Sequence, residues 1–199
     1  MNAIVSNGIQ HANHQSIITE VAVAEVDARF GIQIRVNRLN KVVVRDYRDD
    51  LERQAVFPPL LVYRVPNGSE SQLLLIDGFH RLEAAKWARC ETIRCEIREG
   101  TYEDALLAAL GYNTTHGCRL TAADKRNAII IALFHFGDLS NRCIAELVNV
   151  SDKTVAKVRK QFLGCGKSAT EPIGKDGKRY PIEKGESDKK LESPFEQET

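Results

Sequence analysis

The sequence predicts an α+β protein: a small α/β domain, then an all-α helix-turn-helix domain, then a polar tail. Three observations carry this. Short β-branched runs alternate with amphipathic stretches as far as about residue 112. A helix that is apolar nearly all round, with AIIIALFHF at 128–136, is then followed by two capped helices meeting at Asn149. From residue 164 the chain is rich in Gly, Lys, Glu and Ser and nearly devoid of aliphatics. Such a composition cannot bury enough apolar surface to order itself.

The elements follow in order. Residues 1–16 are polar and are expected to be flexible, with two histidines that need no metal to explain them. IITEVAVAEV at 17–26 alternates like one strand. LNKVVVRDYRDDLERQ at 39–54 predicts a helix with Val42, Val43, Tyr47 and Leu51 as its apolar stripe, stopped by Pro58 and Pro59. LLVYRV (60–65) and SQLLLI (71–76) read as a hairpin around Pro66-Asn67-Gly68. DGFHR at 77–81 leads into the helix RLEAAKWAR. ETIRCEIR (91–98) alternates as a half-buried strand. Thr101 and Asp104 open a helix through Leu110, and Thr121 and Asp124 open another that Gly137 ends.

Composition sets outer limits. A chain of 199 residues with 43% apolar residues can bury a real core. Net charge is +1, so no global field draws it to polyanions, and any contact with nucleic acid must come from a local basic patch. The five cysteines form no C-x-x-C pair and no zinc spacing. With no signal pattern at the N-terminus and no apolar run long enough for a bilayer, they imply the cytosol and no membrane.

The stretch NRCIAELVNVSDKTVAKVRKQFL (141–163) is the most informative. Ser140 caps a first helix whose inner face is Ile144, Ala145 and Val148. Asn149 tolerates the left-handed turn, and Val150 plugs the corner. Ser151 caps a second helix with Val155, Val158 and Phe162 inside. Lys153, Thr154 and Lys157 are then left to face base edges, with Ser151 at the helix opening also on the DNA-binding side. Arg142, Arg159 and Lys160 are left to meet phosphates. A Lys-rich helix face is also what plain solvation produces, but here the small, turn and apolar positions all fall where a steep helix crossing needs them.

A second polar site opens where LLLI runs into Asp77-Gly78 and a helix. Unpaired amides and the helix dipole favour an anion there, with His80 and Arg81 as extra donors. A glycine at such a joint serves equally well as a plain turn residue. Gln33 and Arg35 project from one face of a short alternating segment. Asn113, Thr115, His116, Gly117 and Arg119 follow the helix of 101–112 as a polar loop.

Taken together, Gln33-x-Arg35, FPPLLVY (57–63), IDGFHRLEAAK (76–86) and ALGYNTTHGCRLTAADKR (109–126) resemble the ParB/sulfiredoxin superfamily, over roughly residues 17–163. The resemblance implies a nucleotide site of Gln33, Arg35, Asp77, Gly78, His80, Arg81, Asn113 and His116, taking CTP or ATP with Mg²⁺. The implied organisation is a flexible N-terminus (1–16), a ParB/sulfiredoxin-like nucleotide-binding domain (17–118), a helix-turn-helix domain (119–163) and a mostly disordered tail (164–199). The implied function is nucleotide-responsive, ParB-like binding of double-stranded DNA as a homodimer in the bacterial cytosol or nucleoid. Its setting would be plasmid or prophage maintenance, or transcriptional regulation. The alternative is an ATPase, CTPase or nuclease-like enzyme, and a third reading is a protein-interaction adaptor. Phe79 stands where sulfiredoxins carry their catalytic cysteine, which excludes thiol attack on a sulfinyl phosphate. No residue is assigned a catalytic or metal-ligating role.

Overall fold

The computed structural model describes residues 16–28, 33–36, 39–115, 120–162 and 173. They fall into two compact units that divide between Asn113 and Thr114. The fold is α+β, with five strands and six α-helices among the described residues. The expected disordered tail lies outside the described residues except at Ile173, and the expected flexible N-terminus does so except at Ser16.

The first unit is built on a mixed sheet in the order β1-β5-β3-β4-β2. Its strands are β1 (Ile17–Ala22), β2 (Val26–Asp27), β3 (Leu60–Asn67), β4 (Glu70–Asp77) and β5 (Thr92–Glu99). Residues 17–26 do not form the single strand that alternation predicts. A 3-10 turn at Val23–Glu25 divides them, held by Val23 N–H donating to the Glu91 carbonyl at 3.0 Å. β1 pairs antiparallel with β5, whereas β2 pairs parallel with β4 at the opposite edge. Four inter-strand spacings of a flat sheet span about 19 Å. Four residues reach at most about 14 Å. The sheet must therefore curl until its two edges approach.

Alternation decides which face each strand residue takes. Val21, Leu60, Val62, Leu75, Cys95 and Ile97 form one buried cluster with Leu82 and Ala85 of α2 (Phe79–Trp87). Leu61, Tyr63, Val65, Leu74 and Ile76 alternate with them and are buried as well. Both faces of β3 and β4 are thus covered, which explains their nearly unbroken apolar runs. α3 (Tyr102–Thr115) opens on the expected Thr101–Asp104 reciprocal cap. It runs past Leu110, so Asn113 belongs to its last turn and not to a loop. Arg98 of β5 stacks 5.9 Å from the Tyr112 ring of α3.

α1 (Lys41–Glu52) forms where predicted, capped by the Asn40 side chain accepting from Val42 N–H. Its stripe is shifted from the expected one. Val44 is 1% exposed and Val42 is 56% exposed. Three consecutive valines leave the phase of a helix open by about 100° per residue, and only packing against α2 selects the last of them.

In the second unit α4 (Ala122–His135), α5 (Asn141–Val148) and α6 (Asp152–Phe162) pack mutually. A full capping box at Thr121 and Asp124 starts α4. Ile129, Ile131, Ile144, Val148 and Val155 are almost fully buried. Among the described residues no helix is long and apolar enough to cross a membrane.

Candidate nucleotide turn and basic helix

The first site lies where β4 ends and α2 begins. Gly78 has φ +103°, and a Cβ there would stand 2.4 Å from Leu60 Cδ2. As the N-cap of α2 it provides no side-chain cap, so the opening amides of the helix have no side-chain acceptor. Those amides and the helix dipole make a fixed patch of positive potential.

His80 stands on this turn. Its Nε2 accepts the Asn40 backbone N–H at 3.0 Å, so Nε2 carries no proton and the neutral ring ties α2 to the cap of α1. Burial lowers its pKa, the Arg35 charge lowers it further, and the Asp77 carboxylate raises it. The imidazole is thus a neutral acceptor, not the charged donor that the residue type suggests. Because the folded-state pKa lies below the ordinary value of about 6.5, the unfolded chain takes up the proton first. The contribution of His80 to stability is complete above that value and is lost as pH falls through it. Thermal melts from pH 7.5 to 5.5 (about one unit either side of that value) should show wild type losing more stability than His80→Gln. Equal losses would contradict this role.

Arg81 is turned toward its own chain. Its guanidinium donates to the Pro59 carbonyl at 3.0 Å, to the Pro58 carbonyl, and to Asp77 Oδ2 at 2.8 Å. Only 15% of the side chain is exposed. The expected bidentate grip on a phosphate is therefore not preformed, because two carbonyls left free by the diproline and a carboxylate already occupy the guanidinium. Gln33 and Arg35 flank buried Ile34 in an irregular segment, both half-exposed. Arg35, Asp77 and His80 share one electrostatic neighbourhood. The Asn113 side chain and His116 lie outside the described residues.

Three contributors escaped the sequence reading. Asn40 is one, although Asn before an amphipathic run is a legible cap signal. The others are the Pro58 and Pro59 carbonyls, for which the sequence holds no signal beyond the stop to α1.

The second site is α6. Asn149 adopts φ 52°, ψ 59° and ends α5, and Ser151 Oγ accepts the Thr154 N–H at 3.2 Å to start α6. Val155 and Val158 are buried, while Lys153, Thr154, Lys157 and Lys160 are exposed. The three lysines fall at i, i+4 and i+7, one stripe along the helix. Arg142 on α5 is also exposed, 3.8 Å from Glu146.

Arg159 differs from this group. Its guanidinium donates to Asn141 Oδ1 at 2.8 Å, the Gly137 carbonyl at 2.9 Å and the Leu139 carbonyl at 2.7 Å. Burial pulls its pKa below the ordinary value. It staples α6 to the α4–α5 connection instead of standing free for a phosphate, because the short loop leaves carbonyls that only a long forked donor can reach. Ile173 joins the same connection, its carbonyl accepting the Ser140 N–H at 2.9 Å.

A curled mixed sheet with an uncapped helix opening on a left-handed glycine defines the class of this α/β domain. The model of the ParB N-terminal domain family matches residues 7–114, and the chain belongs to that family. It is 33% identical over 124 residues to a possible regulatory protein of the streptomycin biosynthesis operon from Streptomyces griseus, covering 62% of this chain and 35% of that protein. It is 28% identical over 124 residues to the transcriptional regulator NovG of Streptomyces niveus, covering 62% and 36%. The chain thus spans about a third of the length of these curated relatives. Among solved structures it is similar to C-terminally truncated ParB from Caulobacter crescentus in two complexes. With CTP-gamma-S the TM-score is 0.43 at 17% identity, covering 72% of this chain and 77% of that one. With the centromeric parS site it is 0.49 at 17%, covering 71% and 70%.

Proposed function

We propose that this protein is a ParB-like regulator that binds double-stranded DNA through α6 and responds to a nucleotide held at the β4–α2 turn. The observation that carries it is the exposed stripe of Lys153, Lys157 and Lys160 on a helix whose other side is anchored by Val155 and Val158. A rigid helix end with capped amides and free lysines matches what a major groove and its flanking phosphates require. Membership of the ParB N-terminal domain family and the regulatory names of the two Streptomyces relatives support a regulator of transcription. Plasmid or prophage maintenance is the other setting within this reading. A helix-turn-helix reads paired half-sites, so the protein is taken to work as a homodimer on DNA.

The uncapped amides of α2 and the neighbouring Arg35 charge support a nucleotide, CTP or ATP, at Gly78. These groups suit phosphate oxygens. Mg²⁺, if carried, would arrive with the nucleotide and neutralise phosphate charge. Within this turn the chain offers one carboxylate, Asp77, whose Oδ2 already accepts from Arg81.

Removing two lysines tests the reading. Lys153→Ala/Lys157→Ala should lose duplex retention in a mobility-shift titration while melting like wild type, since both side chains are exposed. Each of the two lysines that meets a phosphate should also cut the log–log salt slope by about 0.9 when removed. Undiminished retention would refute the DNA reading of α6.

A further inference from the structure

We infer that the duplex-binding surface continues from α6 onto the opening turns of α4, where Lys125 and Arg126 each meet a backbone phosphate beside the one met by Lys157. This rests on the DNA reading above and extends its footprint to a helix that reading leaves as mere support. A groove of about 470 Å³ separates the two helices, lined by Lys125, Arg126, Ser151, Thr154, Lys157 and Gln161. Val150 and Val158 add apolar wall, which lowers the local dielectric and strengthens the field at its mouth.

Among the described residues, the cations of the groove are unpaired. Arg45, Arg48, Arg53, Arg64, Arg98 and Arg142 each stand within 4.0 Å of a carboxylate. Among the described residues, Lys125, Arg126 and Lys157 have no such partner. The nearest acid in sequence, Asp124, cannot supply one: it is 4% exposed, and its carboxylate accepts the Thr121 N–H and hydroxyl. Asp152 at the start of α6 likewise turns Oδ1 back onto the Lys153 N–H at 2.8 Å. Both acids serve helix starts, so three cations converge uncompensated. A polyanion would supply the missing countercharge.

Lys157 belongs to both the groove and the lysine stripe. A single free phosphate would contact one end and leave the rest wet, whereas a phosphodiester backbone would run its length. Duplex backbone is therefore the assigned occupant.

The test uses the full chain with Lys125→Ala/Arg126→Ala, and with Lys125→Arg/Arg126→Lys as a charge-conserving control. Duplex affinity is measured against salt on a random-sequence and on an enriched duplex. The alanine variant should lose about 1.8 from the log–log slope, at 0.9 per phosphate contact. The loss should be equal on both duplexes, and the control should recover it. An unchanged slope, with wild type binding normally, overturns the inference and leaves the α6 reading standing. If wild type binds no duplex, both fall. A thermal shift by inorganic phosphate or free CTP that vanishes in the alanine variant, while duplex binding persists, would assign the groove to a small anion and likewise overturn it.

Discussion

Gly78→Ala is expected to destabilise the α/β unit by about 3 kcal/mol. Two independent costs add. A residue with a side chain held at φ +103° sits in sparsely populated space, at about 1–3 kcal/mol. The new Cβ would also stand 2.4 Å from Leu60 Cδ2 and 3.1 Å from the Arg81 guanidinium. Leu60 is 1% exposed and has nowhere to retreat, and overpacking of this kind costs about 1–3 kcal/mol. For a domain of this size the melting temperature should fall by roughly 10–20 °C. The effect extends to ligand binding, because any shift of Arg81 releases the Pro58–Pro59 carbonyls and tilts the opening turn of α2. Thermal unfolding followed by circular dichroism, with CTP and ATP titrations on the folded fraction, measures both. A variant that melts with wild type would mean that the backbone at 78 does not need its left-handed conformation.

Arg159→Ala is expected to destabilise the helical unit by about 3 kcal/mol, because hydrogen bonds to a charged donor each contribute about 1.5–3 kcal/mol and do not add fully. Three acceptors lose their donor at once: Asn141 Oδ1 and the Gly137 and Leu139 carbonyls. Arg159→Lys should recover only part, since one ammonium cannot span acceptors that a planar fork reaches together. The same variant separates two roles for this residue. A structural staple lowers the melting temperature. A plain phosphate contact would leave melting unchanged and reduce only the salt slope of duplex binding. A normal melt with a reduced slope would return Arg159 to the DNA surface.

Local signals in the sequence were legible wherever one short rule decided the outcome. Thr121 with Asp124, Ser140 and Ser151 each cap a helix as their types predict, and Asn149 takes the left-handed turn. The hairpin of β3 and β4 follows from its turn residues, with Gly68 at φ 63°. Alternation placed Cys95 and Ile97 inward on β5. Burial raises the Cys95 thiol to about 11, as suits a side chain that packs and does not react.

What the sequence hid was long-range. The alternation of residues 17–26 continues through the 3-10 turn, so nothing local reveals that β1 and β2 lie at opposite edges of a curled sheet. Val42–Val44 could not show which valine faces α2. At the nucleotide turn, residue type identified His80 and Arg81 but not their states. His80 accepts from an amide 40 residues away, and Arg81 reaches carbonyls more than 20 residues back. Arg159 misled for the same reason: a basic residue on a basic helix looks like its neighbours until the loop it staples is known.

The proposed DNA binding rests on the free lysines of α6. Fluorescence anisotropy of a labelled random duplex, titrated with the full chain at low and at physiological salt, tests this most directly. Saturable binding that weakens steeply as salt rises is the predicted result. A flat isotherm at both salt concentrations, from a protein that melts cooperatively, would contradict it.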